Sequence, residues 1–165
     1  MSARSLSAGL ALALALAGCE PKDHRPGQWL RGEKAAEPVA DWSFSDSVPE
    51  IFVETRTWYG VPHSVTTVCA ALGPELYVPS LFPEGESFPE GKFWTRNVAR
   101  DPRVRLEIGG AIYEREAVLV EDPAEYERAL GAFARKYPFW HDLAQKPAEQ
   151  RPSLFLLRMQ ARSCA

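Results

Sequence analysis

Residues 93–110 read FWTRNVARDPRVRLEIGG, and the periodicity changes inside them. Gly91 to Ala99 reads as a short helix. Asp101-Pro102 ends it, because a residue that precedes proline avoids helical geometry. Val104, Leu106 and Ile108 then alternate with Arg103, Arg105 and Glu107, the pattern of a half-buried strand. Gly109-Gly110 supplies the positive φ of a two-residue hairpin turn. Ile112 to Glu121 returns as the partner strand. A helix that feeds directly into a hairpin sets the frame for the rest of the chain.

Upstream, Ile51 to Trp58 reads as a strand and Tyr59-Gly60-Val61-Pro62 as a turn. His63 to Leu72, rich in Val and Thr, reads as a single antiparallel return strand. Gly73-Pro74 turns the chain into a third strand, Glu75 to Ser80. Two prolines and a glycine mark Phe82 to Glu90 as loop. Downstream, Asp122-Pro123-Ala124-Glu125 has the form of a helix start, with Asp as N-cap, Pro at the first position and Glu reaching back. Tyr126, Leu130, Phe133 and Tyr137 follow at helical spacing. Phe139 to Gln145 reads as another short helix and Ser153 to Met159 as a last strand. The expected class is mainly β (α+β): a six-stranded antiparallel barrel with two or three peripheral helices.

The N-terminus reads differently. Arg4 is followed by a Leu/Ala run from Leu6 to Ala17, the plan of a secretory signal. That run is too short to span a bilayer, which takes ~20 residues. Leu16-Ala17-Gly18-Cys19 resembles a bacterial lipobox, with lipid on Cys19; an ordinary signal peptide with a chance cysteine is the other reading. The expected divisions are residues 1–18 as signal peptide, 19–40 as membrane tether and 41–165 as the domain. Glu20 in place of Asp points to the outer membrane over the inner. The chain carries 19 Lys+Arg against 22 Asp+Glu. With no basic block, nucleic acid is not the expected partner. Its three cysteines and three histidines form no cluster at ligand spacing, so no metal site is expected. Cys69 and Cys164 are either a disulfide or a buried thiol and a tail thiol.

Three stretches carry a resemblance. TRTWYGVPHSVTTVCAALGPELYVPS looks like the opening hairpin and third strand of the split β-barrel, flavin-binding superfamily. That superfamily includes pyridoxamine-phosphate-oxidase-like proteins and deazaflavin-dependent nitroreductases. FWTRNVARDPRVRLEIGGAIYEREAVLV resembles its aromatic-x-x-Asn helix, Asp-Pro-Arg-Val turn and Gly-Gly hairpin. The third is the Asp122 helix with the SLFLLRM strand, which sit where such a barrel closes. The likeness runs from about Glu54 to Met159 and implies a split barrel.

It also implies a flavin-type cofactor, FMN first and coenzyme F420 second, with a barrel that has lost its cofactor as the alternative. Such a ligand needs backbone amides for its polar edge, apolar walls for its faces and cations for its phosphate. The strand bearing His63, Ser64, Val65 and Thr66 is the expected groove. Arg56 and Thr57 on the facing strand are positions that reach phosphate in such families, and Ser80 is one that turns toward the cofactor. Lys92 and Arg96, four apart, share a helical face that can hold phosphate. Trp94 is expected as a wall or as core, and Asn97 as an anchor for the following turn. Phe93 reads as core. No nucleophile elbow, zinc-protease or P-loop motif is present, so no catalytic residue is named.

The implied activity is two-electron reduction of a quinone-like or nitroaromatic acceptor by a lipid-anchored protein of the cell envelope. The alternative is a non-catalytic envelope lipoprotein that uses its barrel to bind a ligand or protein. A homodimer, with aromatics such as Trp140 at its contact, is the expected assembly.

Overall fold

The computed structural model describes Gly27 and residues 29–162. The expected signal segment, Cys19 and Cys164 lie outside the described residues. The strands are β1 (Glu33–Lys34), β2 (Ile51–Arg56), β3 (Pro62–Thr67), β4 (Ala70–Leu72), β5 (Glu75–Leu81), β6 (Arg103–Ile108), β7 (Ala111–Leu119) and β8 (Leu154–Ala161). The helices are α1 (Phe93–Arg100), α2 (Pro123–Lys136) and α3 (Pro138–Gln145). Two short 3₁₀ turns complete the set.

The main sheet runs β3-β2-β6-β7-β8-β5-β4, antiparallel throughout, with β1 added parallel to β7. Its two edges, β3 and β4, are consecutive in the chain and separated only by Val68 and Cys69. Two residues reach no more than about 10 Å, so the edges must come together and the sheet must curl into a barrel. The chain closes the barrel there without a ladder, which is the split. The mainly-β fold therefore stands as expected, with eight strands in place of six. One addition is β1; the other arises because His63–Leu72, read as one strand, divides where it passes from β2's side to β5's.

Side-chain alternation sorts the core into two parts. Ile51, Val53, Leu76, Val78, Leu106, Ile108, Leu157 and Met159 point into the barrel with Trp42 and Trp94. Tyr77, Leu154 and Leu156 point out on β5 and β8, where α2 and α3 cover them with Leu130, Phe133, Trp140 and Leu143. The hairpin after β6 turns on Gly109 and Gly110 at φ +61° and +88°, as the Gly-Gly pair requires. Asp122 caps α2, accepting from the amides of Ala124 and Glu125. The Glu125 side chain does not reach back; it accepts from Tyr77 Oη at 3.1 Å and from Arg158 at 2.6 Å.

The expected tether boundary at residue 40 is corrected. Leu30 is buried, and its amide donates to the Glu54 carboxylate. Glu33 and Lys34 pair with β7. Glu37 meets the buried guanidinium of Arg115 at 2.5 and 3.0 Å. Residues 30–40 belong to the folded domain, held by carboxylates and one leucine and not by a periodic apolar face. Trp140 is buried against Phe133, 5.0 Å between ring centroids, so it is not an exposed contact; its neighbour Phe139 is the exposed ring of α3.

Candidate functional site

The β2–β3 hairpin and α1 form one corner of the barrel. The hairpin is closed by Thr57, which is almost fully buried. Its hydroxyl donates to Val61 O at 2.8 Å and accepts from Val61 N at 2.9 Å. A hydroxyl so engaged holds the turn; it has no donor left for a phosphate. Trp58 and Tyr59, beyond it, stand in solvent with their rings edge to face at 5.2 Å.

Strand register decides which β3 side chains meet. His63 lies opposite Thr55 and Val65 opposite Val53, so both face the barrel interior with those residues. Ser64 and Thr66 lie opposite Glu54 and Phe52 and face the outside. The Ser64 carbonyl accepts from the Gly27 amide at 2.7 Å, so the incoming chain lies along this edge. The four expected groove residues are therefore divided between two faces: His63 and Val65 inward, Ser64 and Thr66 outward.

Ser80 shares the inward face of β5 with Leu76 and Val78, one residue before the strand ends. Its hydroxyl is buried and has no hydrogen-bond partner among the described residues. The Nδ1 atom of His63 is likewise buried and unpartnered. Buried polar atoms are nearly always paired, so an unpaired one calls for an explanation. Both lie around the start of α1. His63 packs edge to face on Phe93, 5.3 Å between centroids. Beyond Ser80, Phe82 packs so close to Gly91 that a Cβ there would sit 2.2 Å from the ring. Gly91 is thus required for the loop to return to the helix start.

Lys92 occupies the N-cap position of α1, half-buried. It has no carboxylate partner among the described residues, and burial lowers the pKa of its amine below the ordinary lysine range. Arg96 is exposed and lies over the Phe93 ring at 5.7 Å. Phe93, expected in the core, is 41% exposed. Trp94 is buried in the barrel core, so it is not an open wall. Asn97 is buried; its amide donates to Thr55 Oγ1 at 3.0 Å and accepts from Arg100 at 3.3 Å. It cross-links α1 to β2, where an anchor for the following turn was expected.

Arg56 stands on the outward face. With Arg103, Arg105, Arg162, Glu54 and Asp101 it lines a cleft of about 140 Å³. Arg103 is held bidentate by Asp101 and Arg105 by Glu54. His63, Val65 and Ser80 thus face the barrel interior, and His63 meets Phe93, the residue after Lys92. Arg56, Thr66 and Arg96 are on outer surfaces, Ser64 faces out of the barrel but is buried, and Thr57, Trp94 and Asn97 are committed to holding the corner in shape. Arg100 was missed in the sequence. It donates to the Arg56 carbonyl at 2.5 Å and ties the helix end to the hairpin. Its place at the last turn of α1, beside the helix's own carbonyls, was the available signal.

No family model and no curated protein matches the chain. Solved structures do. A protein assigned as a 5-nitroimidazole antibiotic resistance protein from Bacteroides thetaiotaomicron superposes with TM-score 0.54 at 15% identity, covering 87% of this chain and 93% of that one. The heme storage protein HutZ from Vibrio cholerae gives 0.53 at 14%, over 73% and 87%. A protein assigned as a pyridoxamine 5′-phosphate oxidase from Listeria innocua gives 0.50 at 20%, over 71% and 86%. At these identities the likeness establishes the fold alone, a split β-barrel.

Proposed function

We propose that this is a lipid-anchored envelope protein that binds a flavin-type cofactor, FMN first and F420 second, at the α1 corner and reduces a quinone-like or nitroaromatic acceptor. One observation carries the reading: the His63 Nδ1 and Ser80 Oγ atoms are buried without partners at the split of a barrel whose fold neighbours include a pyridoxamine-phosphate-oxidase-like protein. A ligand with a polar edge satisfies both atoms. Lys92, half-buried and unpaired, is placed to meet an anionic tail. Once bound, the cofactor supplies the hydride chemistry. Val65 lines the ring's face, Ser80 and His63 hold its edge, and Trp94 behind them keeps the floor dry. The signal-like N-terminus and Cys19 support the anchor, and a homodimer is part of the same proposal. The alternative, a barrel that binds some other ligand without redox chemistry, draws support from Ser64 and Thr66, which face away from the corner.

The test is titration of the purified full chain with FMN and with F420, read by fluorescence quenching, together with mass spectrometry of small molecules released on denaturation. The expected result is one bound flavin-type molecule per chain, with affinity reduced about tenfold in Ser80→Ala, the cost of one lost hydrogen bond in a buried site. Failure of both cofactors to bind removes the redox reading. Mass spectrometry of the N-terminal peptide tests acylation of Cys19 separately.

A further inference from the structure

The tip of the β2–β3 hairpin exposes more apolar surface than its fold requires. Trp58 is 76% exposed, Tyr59 56% and Val61 48%. None of their side chains closes the turn, which is held by Thr57 and backbone bonds to Val61 and Gly60. Phe93 extends the patch through its contact with His63. Trp and Tyr at a projecting tip are suited to the boundary between water and lipid, where the ring body is buried and the polar edge stays wet.

Cations predominate among the charges beside the tip. Arg56 ends β2 immediately before it. Arg100 bonds the Arg56 carbonyl, and Arg96 lies one turn earlier on the same helix. None of the three makes a direct ion pair among the described residues, though Arg56 lines the same cleft as Asp101 and interacts with its charge. The adjacent Asp101 is taken up by Arg103 through two contacts of 2.7 and 2.8 Å. The acidic loop residues Glu84, Glu86 and Glu90 precede α1, at the end away from Arg100. In a chain with formal net charge −3, this is a local cationic rim around aromatic side chains. Anionic headgroups complement such a rim.

The path of the chain supplies the third argument. The incoming segment enters the fold at the edge of β3, where the Gly27 amide meets Ser64 O, two residues from Pro62 at the hairpin's base. Cys19 is eight residues upstream, a reach of at most about 28 Å. A lipid on that residue would hold the hairpin close to the bilayer, where a weak surface contact gains from high effective concentration.

We infer that the Trp58–Val61 tip and its arginine rim dock on the anionic surface of the membrane that holds the chain, with the rings at the headgroup boundary. This rests on the anchored reading above. Docked in this way, the barrel presents its α1 corner toward the bilayer, where a lipid-soluble acceptor resides.

The experiment uses the full chain in vesicles of phosphatidylethanolamine and phosphatidylglycerol, with and without brominated acyl chains. Trp58→Phe isolates the Trp58 emission from that of Trp29, Trp42, Trp94 and Trp140. The expected result is that brominated lipid quenches the Trp58 component by about half or more, as for a ring at the interface. Replacing phosphatidylglycerol by phosphatidylcholine, or raising the salt, should reduce that quenching. Trp58→Ser with Tyr59→Ser should lower the docked fraction about tenfold. The control Phe139→Ser, which removes an equally exposed ring on α3, should change nothing. Both variants lie at exposed positions, and an unchanged melting curve confirms the fold. A chain that sediments with every vesicle type but shows no Trp58 quenching overturns the docking surface and leaves the anchor. Sedimentation only with anionic vesicles, with Trp58 quenched, supports the surface and removes the anchor. A vesicle-free dimer that dissociates in the Trp58→Ser, Tyr59→Ser variant overturns the proposal in favour of a second copy of the chain.

Discussion

Two faces of the same barrel are built to different standards. Where α2 and α3 cover β5 and β8, most polar groups are matched, the Ser45 hydroxyl excepted, and apolar ones are sealed. Tyr77, Glu125 and Arg158 form a chain of contacts, and Lys136 donates to the carbonyls of Ser45 and Cys69 at 2.6 and 3.0 Å. Phe133 and Leu130 are fully buried beneath them. At the α1 corner, two buried polar atoms lack partners, a half-buried lysine lacks a counter-ion, and aromatic rings stand in water. A sequence that can complete the first face has the means to complete the second. One hydroxyl, Ser45 Oγ, is also unpartnered beside the α2 face, so what sets the α1 corner apart is the combination of two such atoms, an unpaired lysine and exposed rings, and that combination marks the part of the molecule that meets something else.

The largest effect separates the two faces outright. Phe133→Ala should lower unfolding stability by about 3–5 kcal/mol, measured by urea denaturation, because this ring of α2 is fully buried against Trp140 of α3 and the sheet. Flavin affinity of the protein that remains folded should not change. Glu37→Ala comes next, at about 2–3 kcal/mol, since it strands the Arg115 guanidinium, whose side chain is 4% exposed. A loss below about 0.5 kcal/mol, the range of ordinary surface substitutions, would return residues 30–40 to the status of a tether.

Those two substitutions also show what could be read in advance. The helix-to-hairpin passage at 93–110 was legible because its signals are local: a proline stop, a period of two and a glycine pair. The place of residues 30–40 was not, because Leu30 and Glu37 find partners 24 and 78 positions away through polar contacts that leave no periodic trace. The division of β3 from β4 was hidden for a related reason. Val and Thr run unbroken through it, and only barrel closure requires the break. At the site, His63 and Ser80 could be named from the family's pattern. That Ser64 and Thr66 face away from His63 follows from alternation once Val65 is known to point inward, and that orientation is a tertiary fact.

Tyr77→Phe sharpens the matched face with a smaller effect, about 1 kcal/mol at neutral pH for the lost bond to Glu125. The phenol is pushed up to about 12, by burial first and by Glu125 next. A group with a raised folded pKa gives stability that is whole below the unfolded value, near 10, and is lost as pH rises from there to about 12. Denaturation of the wild type between those limits should show that loss, and Tyr77→Phe should remove it. Ser80→Ala belongs to the other face and should behave in the opposite sense. Stability without ligand should stay level or rise by up to about 1 kcal/mol, because an unpaired hydroxyl leaves the interior. Destabilisation by more than that would mean the hydroxyl is satisfied in solution, and the corner would lose one of its two orphan atoms.

The smallest effect on stability belongs to Lys92, and it is the most specific to function. Burial lowers its pKa, so the folded state penalises the charged amine; that cost is present at neutral pH and is relieved as pH rises through the folded value toward the unfolded one. Lys92→Met should therefore leave stability unchanged or slightly higher. An anionic tail held by the ammonium reverses the balance, because the bound form favours the proton. FMN affinity should be flat through neutral pH and decline in the alkaline range before an ordinary lysine would titrate. Lys92→Met should weaken FMN about tenfold and abolish that decline, and Lys92→Arg should keep the affinity while removing the pH dependence. Riboflavin, which has the ring without the phosphate, separates the roles: its affinity should depend on Ser80 and not on Lys92. Equal effects of Lys92→Met on riboflavin and FMN would mean that the lysine does not hold the tail. The unpaired charge would then be a feature of the surface, and the contrast between the two faces would rest on His63 and Ser80 alone.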